Sequence, residues 1–291
     1  MLDFIVNPIA GGKNGKKTKN AMALIETALK DKGVDFAIHF SKYKGHAGEL
    51  TKSLIDNGST DIIVVGGDGT LHEVINQFHS FERVNLGLIP CGTGNDFAFA
   101  TNIPLDPLKA LDIIISNKPQ YTDFLQLPTV RGINAAGVGV DVEVIKKYQA
   151  LKKKNKFGYT KCLIKTLMKF EYTSFTAIID GEESKHCSFI ADIANGPVYG
   201  GGIPICPIAN PTDGVANFVA MGKIKKLAII PAFIKLKRGK IFSIKQSFTK
   251  PAKHIIIKTD KPCTVNIDGE LYDNLEFDLK VISNTLKMYR P

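Results

Sequence analysis

The chain has 291 residues, 44% of them hydrophobic, and a formal net charge of +10. That is enough for two domains with an ordinary core; the best apolar run, Leu227 to Phe233, is far short of the about 20 residues that span a bilayer. Five scattered cysteines (91, 162, 187, 206 and 263) without a CxxC exclude a disulfide frame or a cysteine zinc site, so reduced thiols and a cytoplasmic chain are expected. No basic, then apolar, leader opens the sequence, so no signal peptide is expected.

Phe4-Ile5-Val6 reads as a first strand, followed by the turn Asn7-Pro8-Ile9-Ala10-Gly11-Gly12. Leu24, Ile25, Ala28 and Leu29 then line a helix that ends near Gly33. Val34, Phe36, Ile38 and Phe40 alternate as a second strand that ends at Ser41, and residues 45–55 read as helical. Asp61 to Val65 is a third strand, β-branched throughout its centre as in a sheet buried on both faces. It runs into Gly66-Gly67-Asp68-Gly69-Thr70, after which Leu71, Val74, Ile75 and Phe78 recur at helical spacing. Leu86 to Ile89 is a fourth strand, which breaks at Pro90 into Cys91-Gly92-Thr93-Gly94-Asn95-Asp96-Phe97, and a helix is expected over 105–116. This alternation predicts a Rossmann-like parallel sheet with covering helices over 1–122, its three glycine turns at one set of strand ends, where open α/β sheets hold ligands.

From about Tyr121 the pattern changes. Short runs rich in Val, Ile, Phe and Thr (175–179, 188–194, 215–221, 254–258, 263–267 and 275–281) are separated by turn pairs such as Asp180-Gly181 and Asp268-Gly269. They predict an antiparallel β-sandwich over 123–291, interrupted by a basic insertion near 144–170. In that insertion Leu163, Leu167 and Phe170, interleaved with Lys161, Lys165 and Lys169, predict an amphipathic helix.

The charge is uneven. Nine lysines and no acid lie between Val144 and Phe170, and eleven Lys/Arg and no acid between Gly214 and Thr259, so these segments carry +20 against −10 elsewhere. Such a surface seeks a polyanion, with a solvated face as the alternative.

Glycine turns that open helices present backbone N–H groups to phosphate. An aspartate among them, such as Asp68, makes sense if Mg²⁺ stands between carboxylate and phosphate; a tight βα turn with an Asp N-cap is the alternative. Asp268, in a hairpin turn, is open to two readings as well: a base for an alcohol proton, or half of a common Asp-Gly turn.

With Gly66 to Thr70 and Gly92 to Phe97 both in view, the sequence resembles the diacylglycerol-kinase-like lipid kinases, above all their soluble bacterial members and more distantly the sphingosine kinases. The first motif is shared with NAD kinases and phosphofructokinase-like proteins, and the second is more specific. Asp123, Asn134 to Gly139, Gly200-Gly201-Gly202, Pro207-x-Ala209 with Asp213-Gly214, and Asp268-Gly269-Glu270 extend the resemblance over nearly the whole chain.

The resemblance implies a nucleotide cleft between the two domains. It implies that Asn7, Pro8, Ile9, Ala10, Gly11, Ser41, Gly66, Gly67, Asp68, Gly69, Thr70, Leu71, His72, Gly92, Thr93, Gly94 and Asn95 hold ATP, with Glu270 beside the nucleotide. It implies Asp68, Asp96 and Asp123 around a catalytic Mg²⁺, Asp268 as general base, and a second Mg²⁺ on Asp213 with the carbonyls of Asn210 and Val215. Thr212 stands where relatives often carry a second aspartate, and Phe99, Ala100 and Thr101 where a basic residue often follows. Some relatives continue beyond the position of Pro291 with a segment that returns to the first domain.

The expected activity is transfer of the ATP γ-phosphate to the primary hydroxyl of a membrane lipid, diacylglycerol giving phosphatidic acid in the first place. An anionic membrane surface at the inner face of the bilayer is the expected partner, nucleic acid is not, and a homodimer is open. The alternatives are an NAD kinase-like phosphotransferase and a basic membrane- or nucleic-acid-binding module with a vestigial nucleotide site.

Overall fold

The computed structural model describes residues 1–12, 15–151, 172–259 and 263–291, together with 158, 161–162 and 165–166. They form two units, Met1–Phe124 with Ser283–Pro291, and Leu125–Ile282.

The first unit carries strands β1 (Leu2–Val6), β2 (Phe36–Phe40), β3 (Asp61–Gly66) and β4 (Asn85–Pro90), paired parallel in the order β4-β3-β1-β2. Helices α1 (Lys16–Asp31), α2 (His46–Asp56), α3 (Asp68–Gln77), α4 (Asp96–Ala100) and α5 (Pro107–Ser116) join them. Phe4, Ile5, Ile62, Ile63, Val64 and Val65 are fully buried, as a strand covered on both faces requires. The register sets Val6 beside Phe40 and Val65, and Gly66 beside Pro90. The turns after β1, β2, β3 and β4 therefore leave the sheet at one edge.

Beyond α5 come β5 (Gln120–Gln126), β6 (Arg131–Gly132), β7 (Ala135–Gly139), helix α6 (Val140–Gln149), β8 (Thr173–Ile179), β9 (Glu182–Ala194) and β10 (Ala216–Gly222). A helix over Ile229–Lys237 follows, then β11 (Ser247–Ala252), β12 (His254–Thr259), β13 (Thr264–Ile267), β14 (Glu270–Asp273) and β15 (Phe277–Met288). In the second unit every pairing of known register is antiparallel, in the order β14-β13-β7-β9-β8-β12-β15, with β10 also paired to β9 and β11 to β10. The 13-residue β9 serves two neighbourhoods: its first half pairs with β8, and its second half lies between β7 and β10. Phe175, Ala191, Ile193, Phe218, Ile255, Val265, Ile267 and Leu279 fill the core.

Two expectations change. The boundary expected at 122/123 falls inside β5, and residues 283–291, expected in the second domain, pack with the first. Lys287 and Met288 pair parallel with Asn85 and Leu86, so β15 adds a strand to the first sheet beyond β4. Tyr289 donates its hydroxyl to Asp61 at 2.5 Å, and the Arg290 carbonyl accepts from Asn117 Nδ2 at 3.1 Å. β15 itself thus supplies a segment that returns to the first unit, a return that was expected only of relatives continuing past the position of Pro291. The helix expected around Leu163, Leu167, Lys169 and Phe170 lies outside the described residues; Lys161 and Lys165 are helical and exposed.

Candidate functional site

In the first unit the glycine turns are locked into one another. A Cβ on Gly67 would stand 2.8 Å from the Gly92 Cα, and one on Gly92 2.5 Å from the Gly67 Cα, so neither position admits a side chain. Gly11 approaches the Cys91 carbonyl as closely: a Cβ there would lie 2.4 Å from that oxygen. Asn7 donates from Nδ2 to the Thr70 hydroxyl at 3.0 Å, and Lys17 Nζ to the Gly92 carbonyl at 3.3 Å. Asn7 Oδ1 accepts from the Ile9 amide, and the Ala10 carbonyl from the Thr18 hydroxyl. The Ser41 amide bonds the Val6 carbonyl at 2.9 Å, which holds buried Ser41 at the same sheet edge. Pro8, Ile9, Gly69 and Thr93 are exposed, while Thr70, Leu71 and His72 are buried under the α3 turn.

The carboxylates follow from that packing. Asp68 opens α3 and accepts the Phe97 amide on Oδ1 at 3.1 Å, which ties the first turn of α3 to that of α4. A Cβ on Gly94 would meet Asp68 Oδ2 at 2.9 Å and Asp96 Oδ2 at 3.6 Å, so the two carboxylates flank a space that a side chain would fill. Asp96 and Asp123 are buried, and the Arg290 guanidinium feels the Asp123 charge. Asn95, at φ +56°, donates to the Gly92 carbonyl at 3.0 Å, and its buried Oδ1 has no hydrogen-bond donor among the described residues. Paired carboxylates beside backbone amides suit a hard dication, and Asp68 and Asp96 are the residues that would hold it.

In the second unit Asp268 sits at φ +52° in the β13–β14 turn. Its Oδ2 accepts the Ile133 amide at 2.8 Å, and its Oδ1 the Asn134 and Ala135 amides at 2.9 and 3.0 Å. Its own amide donates to the Ala135 carbonyl. Both readings of Asp268 therefore keep a physical basis: the aspartate secures a turn, and the turn aims its carboxylate. Glu270 follows at the start of β14; burial first, then Glu270 and Asp268, push the Tyr272 hydroxyl up to about 12. The Asp213 loop is exposed; Asp213 Oδ1 accepts the Val215 amide at 3.2 Å, and Thr212 donates its hydroxyl to Asn210 Oδ1. Its donors are hard oxygens but only one is charged, so an ion there would keep most of its waters. Among the described residues no cluster of three acidic, histidine or cysteine side chains forms a metal site.

Residues 2–127 match the diacylglycerol kinase catalytic domain family, and residues 134–290 match the YegS C-terminal NAD kinase beta sandwich-like domain. The chain belongs to the YegS-like family of lipid kinases. It is similar to a "Probable lipid kinase YegS-like" of Xanthomonas oryzae pv. oryzae, 28% identical over 96% of this chain and 94% of that protein. A "Putative lipid kinase" of Staphylococcus epidermidis is 27% identical, covering 94% and 92%. A crystal structure of a putative diacylglycerol kinase from Bacillus anthracis str. Sterne aligns with a TM-score of 0.80 at 25% identity, over 100% of this chain and 97% of that one.

For a lipid kinase the second unit holds a further relevant feature. A pocket of about 650 Å³, its open mouth included, lies among Val140, Ile190, Ile203, Met221, Phe233 and Ile244. Asp141 is the one carboxylic acid among its lining residues. This carboxyl, 2% exposed, accepts Asn266 Nδ2 at 2.8 Å, and Asn266 Oδ1 in turn accepts the Gly269 amide at 2.9 Å, one residue past Asp268. Burial pushes Asp141 up to about 6 despite that hydrogen bond. Asp192 lies behind it, bonded to the Tyr199 hydroxyl at 2.7 Å; burial, then the Asp141 charge, hold its carboxyl well above the usual range. The sequence reading passed over Asp141, Asp192 and Asn266. One signal was available, a lone acid inside the apolar run Gly137-Val138-Gly139-Val140-Asp141-Val142.

Proposed function

We propose that this family member transfers the γ-phosphate of ATP, as its Mg²⁺ complex, to the primary hydroxyl of diacylglycerol at an anionic membrane face. The observation that carries the reading is the pair of carboxylates, Asp68 and Asp96, flanking Gly94 on turns pinned together at Gly67 and Gly92. Phosphoryl transfer asks chiefly for positioning and neutralisation of charge. The amides of the turns at Gly11, Gly67 to Gly69 and Thr93 to Gly94 would bind phosphate oxygens, and Asp68, Asp96 and Asp123 would anchor Mg²⁺, which would draw charge from the transferring group. The lipid hydroxyl oxygen bonds to the γ-phosphorus as the bond to the ADP oxygen breaks, and its proton passes to Asp268. Three backbone amides hold that carboxylate in one orientation, as a positioned base requires. The apolar pocket of the second unit favours an amphiphile over NAD as acceptor.

Radiolabelled ATP presented with a panel of lipids and with NAD, with and without Mg²⁺, is the test. Label in the organic phase with diacylglycerol, dependent on Mg²⁺, is the expected result. Label confined to water with NAD would replace this reading by the NAD kinase-like one.

A further inference from the structure

We infer that the segment from Leu227 to Arg238 is the surface that enters an anionic bilayer, with Leu227, Ile230 and Ile234 inserted and the surrounding cations on lipid phosphates. The inference rests on the proposed membrane-lipid acceptor and names the element that reaches it.

The Ile229–Lys237 helix is apolar on two faces. Ile229 and Phe233 are buried, and with Ala232 and Leu236 they roof the apolar pocket. That inward face accounts for one stripe at spacing three and four. Ile230 and Ile234, 55% and 46% exposed, point the other way, and Leu227, 94% exposed in the 3-10 turn Lys226–Ala228 that leads into the helix, precedes them at the same spacing. Single exposed aliphatics need no explanation, but a row of them running from a turn along the helix it opens marks a contact surface. Pro231 costs the helix little, because it falls in the first turn, where its missing N–H has no intrahelical partner.

The charge selects the occupant. Lys223, Lys225, Lys237, Arg238, Lys240 and Lys245 around the stripe are exposed, and the sequence from Gly214 to Thr259 contains no acid. A second copy docked by the same face would set these cations against one another. Leu and Ile offer nucleic acid no ring on which a base could stack. An anionic bilayer meets both features, acyl chains for the aliphatics and phosphates for the cations, with the helix lying in the interface plane.

The chain has no tryptophan, so one introduced residue reports its own surroundings. In Ile234→Trp protein, emission should shift to the blue on mixed phosphatidylglycerol–phosphatidylcholine vesicles and be quenched by brominated acyl chains. Leu24→Trp, at a half-exposed site on α1, should show neither effect. The triple variant Leu227→Ser, Ile230→Ser, Ile234→Ser should keep its melting temperature and lose at least about 10²-fold in vesicle partitioning. Salt at 1 M should weaken wild-type binding, since screening shortens to about 3 Å. Unchanged partitioning of the triple variant, or an unmoved Ile234→Trp spectrum, would overturn the inference, as would a change from dimer to monomer in the triple variant on sedimentation. Phosphorylation of dihexanoylglycerol, dissolved as monomers, separates the two readings. If the wild type leaves it untouched yet binds vesicles through the stripe, the kinase acceptor is wrong and the docking surface stands.

Discussion

Replacing Asp141 by Asn should make the second unit more stable above pH 6 and leave it unchanged near pH 4. The carboxyl is fully buried, and its folded value is raised from 3.8 to about 6. A raised value means that the folded state keeps a proton which the unfolded chain has already released. Stability from that proton is complete below 3.8, falls as pH rises through the window, and is gone above about 6. The displacement corresponds to about 3 kcal/mol lost by pH 7.5. Asparagine keeps the shape and can still accept from Asn266, but it never ionises, so this loss should vanish. Removing the Asp141 charge also relieves Asp192, which adds in the same direction. At about 2–4 °C per kcal/mol for a unit of this size, the variant should melt about 6–12 °C above wild type at pH 7.5. Differential scanning calorimetry between pH 4 and 8 measures it. Parallel pH profiles for the two proteins would show that Asp141 does not titrate inside the fold, and the argument from burial would fail.

Asp68→Ala should reduce turnover by about 10²-fold or more, with the circular dichroism spectrum retained, although the Phe97 amide loses its carboxylate partner; near-wild-type turnover would remove Asp68 from the reaction. Asp268→Asn should cost stability as well as rate. One oxygen becomes an NH2 facing a backbone N–H, at about 1–3 kcal/mol, so melting temperature and turnover should fall together. If turnover falls at unchanged melting temperature, the three amides are not what holds the turn. Gly137→Ala places a Cβ 1.7 Å from Asp192 Oδ1 and should destabilise by about 1–3 kcal/mol; adding Asp192→Ala should restore part of that loss, measured by urea denaturation. Asp213→Ala should abolish any rise in melting temperature that Mg²⁺ produces without nucleotide, and an equal rise in both proteins would clear the loop of an ion.

Much of the first unit was legible because its signals are local. Ile62 to Val65 could only be a doubly covered strand, and the glycines after it could only turn. The sequence could not reveal that Gly67 and Gly92 meet Cα to Cα, since that contact joins turns of two strands. Strands β7 and β14 were hidden for a different reason. Ala135 to Gly139 has no β-branched run, and Glu270 to Asp273 reads as turn. The helix at Ile229 looked like an apolar run too short for a membrane, although its two stripes were already in the spacing. Asp141 and Asn266 lie 125 positions apart, and no periodicity links residues that only the sheet brings together.

The parallel pairing of β15 with β4 affects the order of events during synthesis. A ribosome completes β1 to β4 early, but the strand that pairs with Asn85 and Leu86 at the start of β4 comes only after residues 125–282. At about 5–20 residues per second that interval lasts roughly 10–30 s. For that time the start of a buried-type strand, at Asn85 and Leu86, lacks its parallel partner on that side. The nascent first unit is then a template for any extended segment nearby, so aggregation on the ribosome should depend more on residues 283–291 than their number suggests.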